Sequence, residues 1–175
     1  MNVLQDWLLQ VVAQTEDDFL GMSQSSRLRP QSDQPEYIAF LNKCVTVRDI
    51  TNTPPGKDVR IVGCEDSYLY LGTNVDCLQI QKCVNCTIFV AAVTRAITID
   101  KCENVIVCCA GNYLRIGNCV DCQIFSYTQM SPPVIYGDTR TLSLAAHNAA
   151  YPELANTLKE AGVNWKLPMN QEQRQ

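Results

Sequence analysis

Val59-Arg60-Ile61-Val62-Gly63-Cys64, Leu78-Gln79-Ile80-Gln81-Lys82-Cys83, Ile97-Thr98-Ile99-Asp100-Lys101-Cys102 and Leu114-Arg115-Ile116-Gly117-Asn118-Cys119 repeat one pattern: apolar, polar, Ile, two spacers, Cys. The isoleucines are 80 − 61 = 19, 99 − 80 = 19 and 116 − 99 = 17 residues apart, and Ile135 follows after 135 − 116 = 19. Each Cys leads into a second alternating segment: Ser67 to Tyr70, Cys86 to Phe89, Val105 to Val107 and Cys122 to Phe125. Period-two alternation rich in Ile, Val, Thr, Tyr and Phe is the signature of strands. Two strands and a looser third side make one triangular turn of a parallel β-helix, whose turns stack at about 4.8 Å. Leucine-rich repeats have a similar period, but their Leu-x-x-Leu-x-Leu frame is absent. The fold class expected is therefore an all-β solenoid, a right-handed parallel β-helix.

In such a coil Cys64, Cys83, Cys102 and Cys119 fall at one corner of successive turns, where a small apolar thiol fits and Leu would clash. Asn85, Asn104 and Asp121, two residues after their Cys, are expected to form turns. A solenoid also needs its ends closed. Residues 1–21 carry Val3, Leu4, Trp7, Leu8, Val11 and Val12 at helical spacing and predict an amphipathic helix. Residues 22–36, rich in Ser, Gln, Pro and Arg, read as a linker, 37–163 as the β-helix domain, and 164–175 as a frayed tail. Within the domain, Pro152 to Ala161 predicts a short C-terminal helix with Gly162 as its stop.

At 175 residues the chain holds one domain with tails. Net charge −4 provides no basic surface for a phosphate backbone, so nucleic acid is not an expected partner. The longest apolar runs, Ile88 to Val93 and Val105 to Ala110, are far short of a membrane span, which takes about 20 residues. Met1-Asn2-Val3 lacks the order of a signal peptide, and Asn2 stands where N-myristoylation needs Gly. The cytoplasm is the expected location, and there the ten cysteines are expected as thiols.

Cys83-x-x-Cys86 and Cys119-x-x-Cys122 have the spacing of a four-cysteine zinc site. In the repeat, however, the pairs lie two turns apart, roughly 9 to 10 Å, so packing is the preferred reading and no metal or cofactor is expected. The single histidine, His147, has no nucleophile in sequence reach and reads as a surface residue. Gly-rich phosphate loops are absent. Arg115 is the residue of interest. It occupies the outward position between Leu114 and Ile116, with Asn112 three residues before it, and an outward Arg on a rigid strand is able to enter a partner's site as an arginine finger. Arg60, at the corresponding point of an earlier turn, is the solvated alternative.

The Cys-x-[Asn/Asp]-x-x-[Ile/Leu]-[Phe/Tyr] turns, the segment Cys102 to Cys119, and Tyr151-Pro152-Glu153-Leu154 with Lys159-Glu160-Ala161-Gly162 resemble the C-CAP/cofactor C-like (TBCC) domain. That domain is shared by tubulin-folding cofactor C, the retinitis pigmentosa 2 protein and the cyclase-associated proteins. The resemblance implies a parallel β-helix that engages tubulin or an Arf-like small GTPase and accelerates GTP hydrolysis with the arginine of a Cys-Gln-Gln-[Phe/Leu]-Arg motif. The matching stretch here is Gly111-Asn112-Tyr113-Leu114-Arg115. It implies Arg115 as the candidate finger, Asn112 as a positioning residue, and Tyr113 and Tyr136 as partner-binding residues. Asn112 and Tyr113 replace the family's glutamines, and Val134-Ile135-Tyr136 replaces its Ile-Ile-Glu. Other branches of the family, lacking the arginine, serve as scaffolds at centrosomes and basal bodies. Two expectations follow: a GTPase activator without a catalytic site of its own, or a non-catalytic binding module of cytoskeleton or cilium.

Overall fold

The computed structural model describes residues 34–48, 55–129, 132–150 and 154–163. The chain divides into two units, Met1–Asp33 and Gln34–Gln175, and every described residue belongs to the second. The expected N-terminal helix, most of the linker, and the tail lie outside the described residues. Glu36 opens the first strand, one residue inside the expected linker.

Among the described residues nine strands form one sheet, all paired in parallel: β1 (Glu36–Ala39), β2 (Val45–Arg48), β3 (Lys57–Val62), β4 (Tyr68–Gln81), β5 (Thr87–Asp100), β6 (Ile106–Gly117), β7 (Gln123–Thr128), β8 (Val134–Tyr136) and β9 (Ser143–Ala146). Wound on itself, this sheet is the expected parallel β-helix, a solenoid of about 5 turns. Strand register stacks like on like. Ile38, Ile61, Ile80, Ile99, Ile116 and Ile135 form one column. Leu69, Ile88, Val107, Ile124 and Leu144 form a second. Alternation turns these side chains inward and their neighbours outward, and the inner columns are the core.

The third side is not loose, as the sequence suggested. β4, β5 and β6 run on through it as continuous strands, absorbing the bend in register shifts. The 17-residue turn is resolved there. Phe89 pairs with Cys108 (108 − 89 = 19), Val93 with Gly111 (111 − 93 = 18) and Ala96 with Tyr113 (113 − 96 = 17). Two residues are thus removed in two steps just ahead of β6's outward Tyr113 and Arg115, leaving the columns on either side in line.

The opposite corner is tight because two residues in each turn take left-handed φ. One column is Phe40, Gly63, Lys82, Lys101, Asn118 and Gly137; the other is Lys43, Asp66, Asn85, Asn104, Asp121 and Thr141. Between them sit the stacked cysteines. Each thiol donates locally: Cys83 to the Gln81 carbonyl at 3.4 Å, Cys102 to Asp100 at 3.4 Å and Cys119 to Gly117 at 3.0 Å. A weak donor of small volume therefore suits this corner better than a branched aliphatic side chain. All ten cysteines are free thiols. Outside, Asn104 Nδ2 donates to Asn85 Oδ1 at 2.8 Å, and Asn85 Nδ2 to Asp66 Oδ1 at 2.9 Å, forming a ladder between turns. Asn tolerates left-handed φ where a β-branched residue does not. Asn104→Val, at φ 51, is expected to destabilise the fold by about 2 kcal/mol from φ strain and the lost rung together. Asn104→Gly removes only the rung, so urea midpoints for the two variants should be clearly separated.

The helix α1 (Leu154–Glu160) is described from Leu154, inside the expected range; Pro152 and Glu153 lie outside the described residues. Its stop is as expected. Gly162 has φ 71, its N–H donates to the Lys159 carbonyl at 3.1 Å, and the Val163 N–H reaches back to Leu158 at 2.8 Å, which is a Schellman closure. Leu158, Ala161 and Val163 pack on Ala92 and Ala110, outward residues small enough to let the helix approach the coil. Among the described residues no helix is long and apolar enough to cross a membrane.

Candidate functional site

β6 pairs with β5 on one side and β8 on the other, so Arg115 stands between Thr98 and Val134 along the stack. Leu114 and Ile116 point into the core and lock the strand, which turns Arg115 outward. Arg115 is exposed. Tyr113, two residues earlier on the same side, is 46% exposed, and Val134 on the next turn is 52% exposed. The Arg115 guanidinium carbon lies 5.4 Å from the centroid of the Tyr136 ring, within cation–π range. Tyr136 is half-buried, and burial together with the nearby Asp100 charge pushes its phenol above its ordinary pKa. Its hydroxyl therefore stays protonated and donates to Asp100 Oδ1 at 3.3 Å.

Three of the four candidate residues, Tyr113, Arg115 and Tyr136, thus share one outward patch. Asn112 is placed differently. Its Nδ2 donates to the Thr94 carbonyl of the preceding turn, and its Oδ1 is buried with no hydrogen-bond partner. Its amide stitches the shortened turn to its neighbour, and any influence on Arg115 passes through the strand. Asp100 and Asn118 are site residues that the sequence reading missed. Asn118 Nδ2 donates to Asp100 Oδ1 at 2.8 Å, and Asn118 Oδ1 accepts the Asp138 N–H at 3.2 Å. Their only signal was polarity at positions beside the Ile column. Arg60, at the equivalent point of β3, is half-buried; its Nη1 donates to the Tyr37 hydroxyl at 3.0 Å, and its guanidinium lies 5.7 Å from that ring's centroid.

The cysteine pairs of the zinc-like spacing point their thiols at carbonyls. Cys86 Sγ donates to Val84 at 3.3 Å and Cys122 Sγ to Val120 at 3.4 Å, matching Cys83 and Cys119. Among the described residues no group of three or more His, Cys, Asp or Glu is placed to hold a metal. Burial pushes the Cys109 thiol up to about 12, away from nucleophilic use.

His147 is half-buried rather than a surface residue; its Nε2 is enclosed without a hydrogen-bond partner, and burial lowers its pKa. The unfolded chain therefore takes up the proton more readily, at its usual pKa of about 6.5. His147 costs the fold nothing well above that value, and its protonation withdraws stability as pH falls below it. The stability of wild type relative to His147→Gln should drop between about pH 7.5 and about pH 5. A constant difference in urea unfolding would show that the imidazole is not sequestered.

The described residues thus form a parallel β-solenoid that presents Arg115 to solvent beside Tyr113, Val134 and Tyr136. Residues 56–173 match the family described as Tubulin binding cofactor C, and the chain belongs to that family. It is similar to proteins named TBCC domain-containing protein 1. With that of Danio rerio it shares 29% identity over 117 residues, covering 64% of this chain and 20% of the relative. With that of Gallus gallus it shares 26% over 129 residues, covering 71% and 23%. The Homo sapiens protein also gives 26% over 129 residues, with the same coverage of 71% and 23%. The chain thus spans about a fifth of the length of these relatives, which share 20% and 23% of their length with it.

Proposed function

We propose that the chain engages an Arf-like small GTPase or tubulin and accelerates GTP hydrolysis by inserting Arg115 beside the nucleotide. The observation that carries this reading is the placement of Arg115, exposed on a strand fixed by its inward neighbours. Phosphoryl transfer spreads negative charge over the transferring oxygens, and a guanidinium delivered from outside stabilises it when correctly placed. Tyr113 and Val134 surround the cation with apolar surface that a partner would desolvate, and Tyr and Arg are the residue types enriched at interface hot spots. The chain supplies charge and position while the partner supplies nucleotide and water, so it has no catalytic site of its own. Tubulin binding, named in the family description, supports the partner class. The proposed setting is the cytoplasm, at the cytoskeleton or a ciliary basal body.

A second reading is favoured by Asn112, whose amide is committed to the Thr94 carbonyl. The chain would then be a non-catalytic scaffold that binds the same partners. Single-turnover hydrolysis by GTP-loaded Arf-like GTPases and by tubulin, with wild type and Arg115→Ala, separates the two. Acceleration by wild type that disappears in the variant supports the first. Binding without acceleration overturns it and supports the scaffold.

A further inference from the structure

We propose that Tyr136 is a positioning residue that presents Arg115 through its ring face, with Asp100 acting on the guanidinium through that ring. This rests on the reading of Arg115 as the inserted cation. A free arginine side chain loses its rotamer freedom on insertion, and a finger is effective only when that loss is met beforehand. Among the described residues Arg115 has no carboxylate within ion-pair distance; its neighbour is the Tyr136 ring.

That ring is itself held. Tyr136, Gly117 and Asp100 occupy one row across three successive strands. Tyr136 lies flat over Gly117, where an added Cβ would overlap the ring carbons, and this allows its hydroxyl to cross a whole strand to Asp100. Asp100 is 5% exposed, and the same oxygen that receives the hydroxyl also receives Asn118 Nδ2. Asn118 in turn holds the Asp138 N–H just beyond Tyr136. Donation to a carboxylate enriches the ring in electron density and so strengthens its attraction for a cation. A direct ion pair would occupy the guanidinium's in-plane N–H groups, whereas contact through the ring face leaves them open to a phosphate.

Two measurements test this. In the free protein, ¹⁵N relaxation of Arg115 Nε should show an ordered side chain in wild type, an intermediate one in Tyr136→Phe, which keeps the ring face but loses the hydroxyl tied to Asp100, and a mobile one in Tyr136→Leu and Gly117→Ala. The glycine variant dislodges the ring without altering it. Equal order in all four overturns the proposal, whatever the GTPase result. In single-turnover hydrolysis, Tyr136→Leu should lower the rate at saturation about 10-fold while the half-saturating concentration stays within about 3-fold, and Tyr136→Phe, without the hydroxyl that reaches Asp100, should fall between the two. A loss confined to half-saturation makes Tyr136 a contact surface and overturns the positioning role. Melting temperatures identify any variant lost to misfolding, and the paired substitutions at 117 and 136 keep one readable. Wild type failing to accelerate any GTPase would remove the finger reading alone, because the relaxation result stands without a partner.

Discussion

Arg115→Ala is expected to reduce the single-turnover rate of the responding GTPase by at least about 10³-fold, the range over which an inserted arginine acts. The loss should fall on the saturating rate. Tyr113 and Val134, which supply the apolar frame, are untouched, so partner affinity changes far less than rate. The fold should not register the change, because Arg115 is exposed and the strand is locked by Leu114 and Ile116. Arg115→Lys should recover little. An ammonium is a compact charge that cannot offer two parallel N–H groups to a phosphoryl group. Recovery of most of the rate by lysine would mean that Arg115 acts as diffuse charge and not as a finger.

The second large effect is on stability. Ile99 is 0% exposed in the middle of a column, with Ile80 below it and Ile116 above. Ile99→Ala leaves a gap that stacked rungs cannot close without breaking the parallel ladder, and should cost about 2–5 kcal/mol. Ile135 belongs to the same column but is 51% exposed, because among the described residues it is the last rung. Ile135→Ala should cost less than about 1 kcal/mol, as surface truncations do. Urea unfolding with a shared slope would measure both. Similar losses at the two sites would mean that rung order does not govern stability in this coil.

The Ile column was legible because an inward position must be apolar in every turn, and spacing alone brings Ile61, Ile80, Ile99 and Ile116 together. The corner cysteines were legible for the same reason. The third side was not, because its strands bend, and register shifts at Val93 and Ala96 erase the period that marks a strand. The left-handed Lys82 and Lys101 were also hidden, since lysine carries no turn signal; the stacking of backbone hydrogen bonds sets their φ. In the site, Arg115 was visible as an outward polar residue between two core residues. Asn112 was assigned to the arginine through the resemblance, at the place of a family glutamine, whereas in the structure its amide donates to the Thr94 carbonyl of the preceding turn. Asp100 reaches the site only through a tyrosine two strands away, a relation that no linear pattern carries.

Strict in-and-out alternation separates the chain's letters into two alphabets. Inward letters obey the frame, while those facing water along the strands, away from the left-handed corner, are free of it. A coil built this way can carry a new outer face on the same spine, as exposed Tyr113 and Arg115 do on a strand whose Leu114 and Ile116 stay in the core.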